Sequence, residues 1–256
     1  MKFAQIRGVS LHFDYHAGHG IPLILLHEMG GNLHSWDLVL GHLPDCSYLR
    51  LDLRGFGLSE KPIGPVTLED HVEDVLGLMA HLGIMQAHFV GGAVGAAVAI
   101  ACAAKRGEMA ASLTVFAPAT GIPQTRKAAV LALADSLEQE GGQRIFLEQD
   151  TIPKAWPTAL FERGAGFDLF CGSQFGTAPA SLAVTYRMLA VMNLVPALAC
   201  LKCPVHFVAG RHDVARRPDA VRAIAQTVHG AAFHEIESGH FMALQSPQLV
   251  ADFLRF

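Results

Sequence analysis

The sequence predicts an α/β fold, a doubly wound, mostly parallel sheet with a helical cap insertion. Short apolar runs and helical patterns alternate along most of the chain, the order that gives parallel strands joined by helices. The run 23–26 is continuously apolar, as in a strand buried on both faces. Hydrophobic residues make up 51% of the 256 residues and charged residues 16%, so both faces of a sheet can be covered.

The individual elements follow from periodicity and from helix-start signals. Thr67 precedes Asp70 by three residues in a capping-box-like order, and Val72, Val75 and Met79 follow at helical spacing. The predicted strands are 3–6, 11–15, 23–26, 48–52, 88–91, 113–116, 204–209 and 232–236. The predicted helices of the alternating part are 35–43, 67–83, 96–106 and 218–228, and residues 247–256 close the chain.

The alternation stops between about 122 and 200. This stretch predicts helices at 125–140, 144–149 and 180–192, with aromatic residues between them. We expect residues 1–121 and 201–256 to form the core and residues 122–200 to form the cap. An insertion at the carboxyl edge of a parallel sheet lies over any site at that edge.

Composition argues against several classes of function. The net charge is −4 and no Lys/Arg cluster is present, so no nucleic-acid partner is expected. No apolar stretch reaches the ~18 residues of a membrane span, and the first residues lack the apolar region of a signal peptide. The five cysteines are irregularly spaced, which favours reduced, mostly buried thiols in a cytoplasmic protein.

Metal and cofactor chemistry also find no support in the sequence. His27 and Glu28 are followed by Met-Gly-Gly, so they do not begin an H-E-x-x-H zinc motif, and we expect neither a metal nor a cofactor. The expected partner is a small-molecule substrate, and the expected assembly is a monomer or a homodimer.

The stretch around Gly91-Gly92-Ala93-Val94-Gly95 has the outline of a nucleophile elbow. In an elbow, a strand turns sharply into a helix and holds one side chain up at the sheet edge, in the pattern G-x-S-x-G. Glycine flanks the central residue because the tight turn leaves no room for larger side chains. Here the central residue is Ala93, whose methyl group cannot act as a nucleophile.

A second feature is the glycine-bearing loop 27–31, which follows the strand expected beside the elbow strand. Its amide at Met29 is predicted to face the amide of Val94 at the start of the helix. Two converging N–H donors form an oxyanion hole, worth ~3 kcal/mol per donor in the transition state. Taken alone, the loop is equally consistent with a plain glycine turn.

The third feature is the pair Asp213 and His240, each placed after one of the last two strands. A carboxylate beside an imidazole orients the ring and stabilises its protonated form. His240 alone would be read as an ordinary loop histidine. The chain order of elbow, acid and histidine is the order that this type of elbow uses, which favours a catalytic pair.

Together these motifs resemble the α/β-hydrolase superfamily over nearly the whole chain. Length and cap size are most similar to the 3-oxoadipate enol-lactonase-like small hydrolases, with C–C bond hydrolases and small esterases as close alternatives. The resemblance implies acyl transfer through an elbow serine, an Asp213–His240 pair and oxyanion amides of Met29 and Val94. The residues that carry it are Leu25-Leu26-His27 with Gly30-Gly31, the run from Asp52 to Ser59, the elbow, Gly210-Arg211-His212-Asp213 and Ser238-Gly239-His240-Phe241.

Three positions depart from the family pattern. Glu28 stands where the family often has glycine, which places a carboxylate near an anion-stabilising loop. Gly92 replaces a frequent histidine, and Ala93 replaces the nucleophile. Dehalogenases and epoxide hydrolases carry aspartate at the nucleophile position, but the neighbouring Val94 and a cap with Tyr186 as its sole tyrosine do not fit them, so serine is the expected lost nucleophile.

Ala93 has three interpretations. The chain is an engineered Ser-to-Ala variant, a natural enzyme in which His240 and Asp213 act on water or on a carbon acid without covalent catalysis, or a non-catalytic protein that retains the pocket for binding. The natural non-covalent enzyme includes cofactor-free lyase or proton-transfer chemistry. Gly92 favours natural divergence, since an engineer who changed one residue would leave the neighbouring position intact.

The cap is expected to supply a partly apolar substrate pocket. Trp156, Phe170 and Met188 are candidates for its lining, and Arg163 is the candidate anchor for a substrate carboxylate. The alternative for the apolar residues is burial in the core of the cap.

Overall fold

The computed structural model describes residues 2–141, 143–157 and 159–256. In these residues eight strands form one sheet in the order β1-β2-β4-β3-β5-β6-β7-β8. The pairs β1–β2 and β2–β4 are antiparallel and the remaining pairs are parallel. The strands are β1 Lys2–Ile6, β2 Val9–His16, β3 His19–Leu26, β4 Cys46–Leu51, β5 Ala87–Gly92, β6 Ala110–Phe116, β7 Val205–Gly210 and β8 Ala232–Ile236.

The helices on the two faces of the sheet follow the predicted alternation. They are α1 Asp37–Leu40, α2 Leu68–His81, α3 Val94–Lys105, α10 Pro218–Ala225, α11 Met242–Gln245 and α12 Pro247–Asp252. Between β6 and β7 the chain forms α4 Gln124–Glu140, α5 Gln143–Phe146, α6 Ile152–Ala155, α7 Ala165–Gly176, α8 Pro179–Val191 and α9 Val195–Ala199. A π-helical segment, Leu147–Thr151, connects α5 to α6.

The parallel pairing brings the carboxyl ends of six strands, β3 to β8, to one edge. Leu26 of β3 pairs with Gly91 of β5, and Gly91 pairs with Val115 of β6. Gly210 of β7 pairs with Ile236 of β8. The loops that leave these strands therefore lie next to one another, which is where ligands bind in open α/β sheets.

The core consists of two apolar layers on opposite faces of the sheet. Along β3, Ile24 and Leu26 pack into the layer that contains α2 and α3, whereas Leu23 and Leu25 pack into the layer with Trp36 and α12. This division follows from the period of two in a strand, and both sets are apolar because both faces are covered.

Most predicted elements are present, with identifiable differences. Thr67 caps α2 in a capping box with Asp70, as predicted. The predicted helix 35–43 is a short 3₁₀ segment, Leu33–Trp36, followed by α1, because Asn32 caps the 3₁₀ turn and the helix ends at Gly41. The helix α7 was missed because its glycines and phenylalanines show no helical period. Of the five free cysteines, Cys102 alone is buried, so the expectation of mostly buried thiols is wrong. Within the described ranges, no helix is long and apolar enough to cross a membrane.

Candidate active site

The turn between β5 and α3 has the backbone of a nucleophile elbow. Ala93 lies at φ 48° and ψ −107°, a conformation that side-chain-bearing residues rarely adopt. A Cβ on Gly95 would lie 2.2 Å from the carbonyl oxygen of Leu26, and a Cβ on Gly91 would lie 2.4 Å from the backbone of Gly95. Both flanking glycines are therefore required by backbone contacts, and the strained turn persists around a methyl group. Such strain costs on the order of 1–3 kcal/mol and is concentrated at functional sites.

The loop after β3 is held by side chains from two directions. His27 contacts the carbonyl oxygen of Glu28 through Nδ1 at 2.7 Å, and its Nε2 accepts a hydrogen bond from the amide of Leu53 at 2.9 Å. From α7, Gln174 donates to the carbonyl oxygen of Met29 at 2.9 Å. His27 thus braces its own loop, as expected, and α7 clamps the segment whose amide was predicted to stabilise an oxyanion.

Both candidate oxyanion donors are available. The amide of Met29 has no acceptor among the described residues. Val94 is the first residue of α3, and amides of the first helical turn lack intrahelical acceptors. The positive end of the helix dipole adds to their attraction for a negative oxygen.

The loops after β7 and β8 bring an acid and a histidine together. Oδ2 of Asp213 lies 2.7 Å from Nδ1 of His240. Oδ1 of Asp213 accepts hydrogen bonds from the amides of Ala215 and Arg216, each at 2.8 Å, and the carboxylate is buried. The acid is fixed by three contacts. His240 is left with Nε2, which makes no hydrogen bond to any residue in the described ranges and can accept a proton.

One cavity of about 850 Å³ collects the predicted catalytic positions. Met29, Ala93, Val94, Asp213 and His240 all line it. Its cap side is formed by residues of α4, the π-helical segment, α6, α7 and α8, among them Arg126, Leu147, Ala155, Gln174 and Tyr186. The loops of the sheet edge and the cap helices therefore enclose a shared space large enough for a small organic substrate.

The four residues predicted to bind substrate do not line this cavity, so that prediction is wrong for this space. Trp156 and Phe170 pack with Phe167 in a buried aromatic cluster, with ring centroids 5.4–6.3 Å apart. Met188 is buried against Val94 and Leu189. Arg163 is exposed, and its guanidinium lies over the ring of Phe167 at 4.8 Å. The large apolar side chains of the cap pack against one another and are buried. The sequence does not show which face of each helix is buried in this way.

Two arginines that the sequence interpretation passed over line the cavity. Arg126 begins α4 and Arg216 follows Asp213 by three residues, and neither forms an ion pair with a described residue. Burial lowers the pKa of the Arg216 guanidinium, Asp213 opposes this effect, and Arg126 adds to it. Their charges leave a positive region in the cavity wall. Only Arg216 carried a sequence signal, its position in the loop of the predicted acid.

Tyr186 and Glu28 add to the polar lining, which also includes Asp150, Thr151, Lys154 and Gln174. Burial raises the pKa of Tyr186 to about 12, with a further contribution from Asp150, so the phenol keeps its proton at neutral pH. Glu28 is 8% exposed and borders the same cavity. A hydroxyl donor and a carboxylate thus lie with the arginines in a space that also offers apolar walls.

Comparison with known proteins agrees with this geometry. The family model described as the alpha/beta hydrolase fold matches residues 21–140, which include the oxyanion loop and the elbow. The chain belongs to the α/β-hydrolase superfamily. The enzymes of this family that it resembles are esterases, lactonases and epoxide hydrolases, and the last class includes a soluble epoxide hydrolase of Corynebacterium that is 24% identical over 97% of this chain.

Individual relatives differ in how much of the chain they match. The 3-oxoadipate enol-lactonase 2 of Acinetobacter baylyi is 26% identical over 88% of this chain and 84% of its own length. The acetyltransferase component of an acetoin cleaving system from Pseudomonas putida is 34% identical, but the match covers 45% of this chain and 32% of that relative. The enol-lactonase structure from Burkholderia xenovorans LB400 has the same fold, with a TM-score of 0.89 at 24% identity over 99% and 98% of the two chains.

Proposed function

We propose that this α/β-hydrolase cleaves a small ester or lactone by direct attack of water, without an acyl-enzyme intermediate. The observation that carries the proposal is the Asp213–His240 pair at 2.7 Å, on the same cavity as the empty nucleophile position at Ala93. As a general base, His240 must remove a proton from a nucleophile, and the methyl group of Ala93 offers no such proton. A water molecule bound beside the elbow, next to Nε2 of His240, supplies it.

The reaction follows from the positions of the donors. Nε2 of His240 takes a proton from water while the water oxygen bonds to the substrate carbonyl carbon. The carbonyl electrons move onto oxygen, which the amides of Met29 and Val94 stabilise. Collapse of the tetrahedral intermediate expels the alcohol oxygen, which receives the proton from His240. Asp213 stabilises the imidazolium between the two transfers.

The two arginines of the cavity support an anionic substrate, because a third cation, Lys154, is paired with Asp150. Arg126 and Arg216 face the space without carboxylate partners among the described residues, and a guanidinium binds a carboxylate through paired N–H donors. This role replaces the one expected of Arg163. The proposed substrate class is therefore an ester, lactone or enol-lactone that also carries a carboxylate.

The test is turnover of such esters and lactones by the native chain and by His240→Ala. Loss of the general base lowers kcat by on the order of 10²–10⁴-fold. The matched control is His212→Ala, because His212 lies in the neighbouring loop and contacts Glu237 on the outside. Turnover that survives in His240→Ala overturns the mechanism. Absence of turnover for every substrate, with retained ligand binding, favours the non-catalytic binding protein.

Restoring the missing hydroxyl separates this proposal from the engineered interpretation. Ala93 is 9% exposed at the cavity wall, so Ala93→Ser is expected to change stability by less than about 1 kcal/mol. In a former serine hydrolase, the variant reacts with a serine-directed phosphonate. A correctly folded variant that remains unlabelled shows a site arranged for water rather than for a serine. A serine codon at position 93 of the source gene would favour the engineered interpretation.

A further inference from the structure

A second, much smaller cavity lies behind the elbow. It has a volume of about 20 Å³ and is lined by Glu28, Trp36, Gly92, His240 and neighbouring apolar residues. A cavity of ~10–15 Å³ or more holds one water molecule when polar partners surround it. Glu28, His240 and Phe241 border this cavity and the large one alike, so they form the boundary between the two spaces.

The space exists because position 92 has no side chain. A Cβ built on Gly92 would meet no atom within 4 Å, in contrast to the crowded Gly91 and Gly95 on either side. Gly92 is therefore not required by the turn. Its effect is to leave room beside the elbow, next to Glu28 and the catalytic histidine.

Two polar groups at this cavity are incompletely satisfied. The indole Nε1 of Trp36 is buried without a hydrogen-bond partner among the described residues. Glu28 accepts a hydrogen bond from Ser35 Oγ at 2.9 Å on Oε1, and its Oε2 has no donor in the described part of the chain. The buried indole donor costs free energy when left unpaired, and the second carboxylate oxygen of Glu28 is available to accept a hydrogen bond.

The hydrogen-bonding capacities of these groups match those of one water molecule. Indole N–H only donates, a carboxylate only accepts, and Nε2 of a histidine protonated on Nδ1 accepts. A water can accept from Trp36 and donate to Glu28 and to His240 at once.

We propose that Glu28, Trp36 and Gly92 form a water-positioning site that supplies the attacking water of this enzyme. The inference rests on the proposed function and names the residues that orient its nucleophile. Trp36 holds the water oxygen and Glu28 holds one hydrogen. The second hydrogen points to His240, which removes it as the oxygen bonds to the substrate carbonyl carbon. The proton later leaves with the alcohol, and Glu28 keeps its charge throughout.

The first part of the test asks whether the water is present and does not depend on turnover. The chain has two tryptophans, so two indole N–H signals appear in a nitrogen–proton correlation spectrum. Trp36 is expected to show a nuclear Overhauser contact with a long-lived water. Trp156 is the internal control because its indole donates to the carbonyl oxygen of Glu162 at 3.1 Å. In Gly92→Ala the added methyl group reduces the room at the cavity that Gly92 lines, so the contact at Trp36 is expected to weaken. A Trp36 indole without water contact overturns the site whether or not the protein is active.

The second part asks whether the water reacts. Glu28→Gln keeps the shape and the acceptor for Ser35 but removes the charge, Trp36→Phe removes the donor, and Gly92→Ala reduces the room. Each is expected to lower kcat by about ten- to a hundredfold with little change in KM, as for a misplaced reactant. Trp156→Phe is the control for Trp36→Phe and is expected to leave kcat unchanged.

The two proposals fail in distinguishable ways. If His240→Ala abolishes turnover while the three variants retain the native kcat, the water is structural and the inference is overturned, whereas the proposed function stands. If the native chain turns over no ester or lactone, the proposed function fails. In that case the positioning role fails with it, and the spectrum still decides whether the water site exists.

Discussion

The elbow at the sheet edge and the cap above it keep their shapes by different physical means. At the elbow, backbone contacts act within one turn, and a single added methyl on Gly95 would collide with the carbonyl oxygen of Leu26. In the cap, aromatic packing around Trp156 and exposed ion pairs such as those of Arg187 with Asp135 and Glu138 join the helices mainly through side chains. The turn tolerates no side chain at Gly91 or Gly95, whereas a layer packed through side chains can exchange residues. We infer that the catalytic geometry lies in the first region and substrate preference in the second.

The largest expected effect breaks the elbow itself. In Gly95→Ala the added Cβ would lie 2.2 Å from the carbonyl oxygen of Leu26. Both residues are buried, so neither backbone segment can move aside. We expect a loss of about 4 kcal/mol or more in the free energy of unfolding, at the upper end of single-mutation effects. The control is Gly92→Ala, because a Cβ on Gly92 would meet no atom within 4 Å. The expected change in the free energy of unfolding is below about 1 kcal/mol. Urea unfolding of both variants checks this, and equal losses would contradict the contact argument.

A comparable substitution in the cap should cost somewhat less and leave the Asp213–His240 pair in place. Phe170 is completely buried between Trp156 and Phe241, so Phe170→Ala is expected to destabilise the protein by about 3–4 kcal/mol. Phe175 lies on the same helix but is 41% exposed, and Phe175→Ala should cost less than about 1 kcal/mol. Thermal unfolding of the pair gives the comparison, and a stable Phe170→Ala would show that the cluster does not hold the cap.

The core also contains a pH-sensitive group behind the elbow helix. Burial lowers the pKa of His71 on α2 to about 4, with smaller contributions from Arg54 and His27, and its Nδ1 has no partner in the described ranges. Between pH 6.5, its ordinary value, and pH 4, the unfolded chain binds a proton that the folded chain does not. The free energy of unfolding therefore falls as the pH is lowered, by up to about 3 kcal/mol over this window.

Replacing this histidine tests that contribution. His71→Leu is expected to flatten the dependence of stability on pH between about 6.5 and 4. His81→Gln is the control, because His81 is exposed at the end of the same helix. Urea titrations at several pH values give the result. If the free energy of unfolding of His71→Leu depends on pH as steeply as that of the native chain, groups other than His71 cause the acid sensitivity.

The smallest expected effect concerns recognition of a substrate carboxylate by Arg216, in the loop that follows β7. Arg216→Ala is expected to raise KM for a carboxylate-bearing ester about tenfold, the loss of one charged contact, with a neutral ester little affected. Arg163→Ala is the control, since Arg163 is exposed on Phe167 and does not line the cavity. Equal KM values for Arg216→Ala and the native chain, on charged and neutral esters, would remove the anionic group from the proposed substrate.

The same contrast explains how much could be predicted from the sequence. The strand positions, the strained turn at Ala93 and the meeting of Asp213 with His240 follow from backbone rules, such as glycine spacing and strand ends at a common edge. The faces of the cap helices follow from no such rule, because α7 and α8 are apolar on several sides. Met188 was therefore assigned to the cavity and lies in a buried cluster, while Tyr186, two residues earlier, lines it.

The central claim is that water attacks the substrate directly, and the origin of the incorporated oxygen tests it. With enzyme in excess over a hydrolysed ester, a single turnover is run in heavy-oxygen water, and the mass of the product acid and of the enzyme is measured. The account predicts one heavy oxygen in the product and an enzyme of unchanged mass. An acylated enzyme, or heavy oxygen incorporated into the peptide that contains Glu28, would show a covalent intermediate and contradict it.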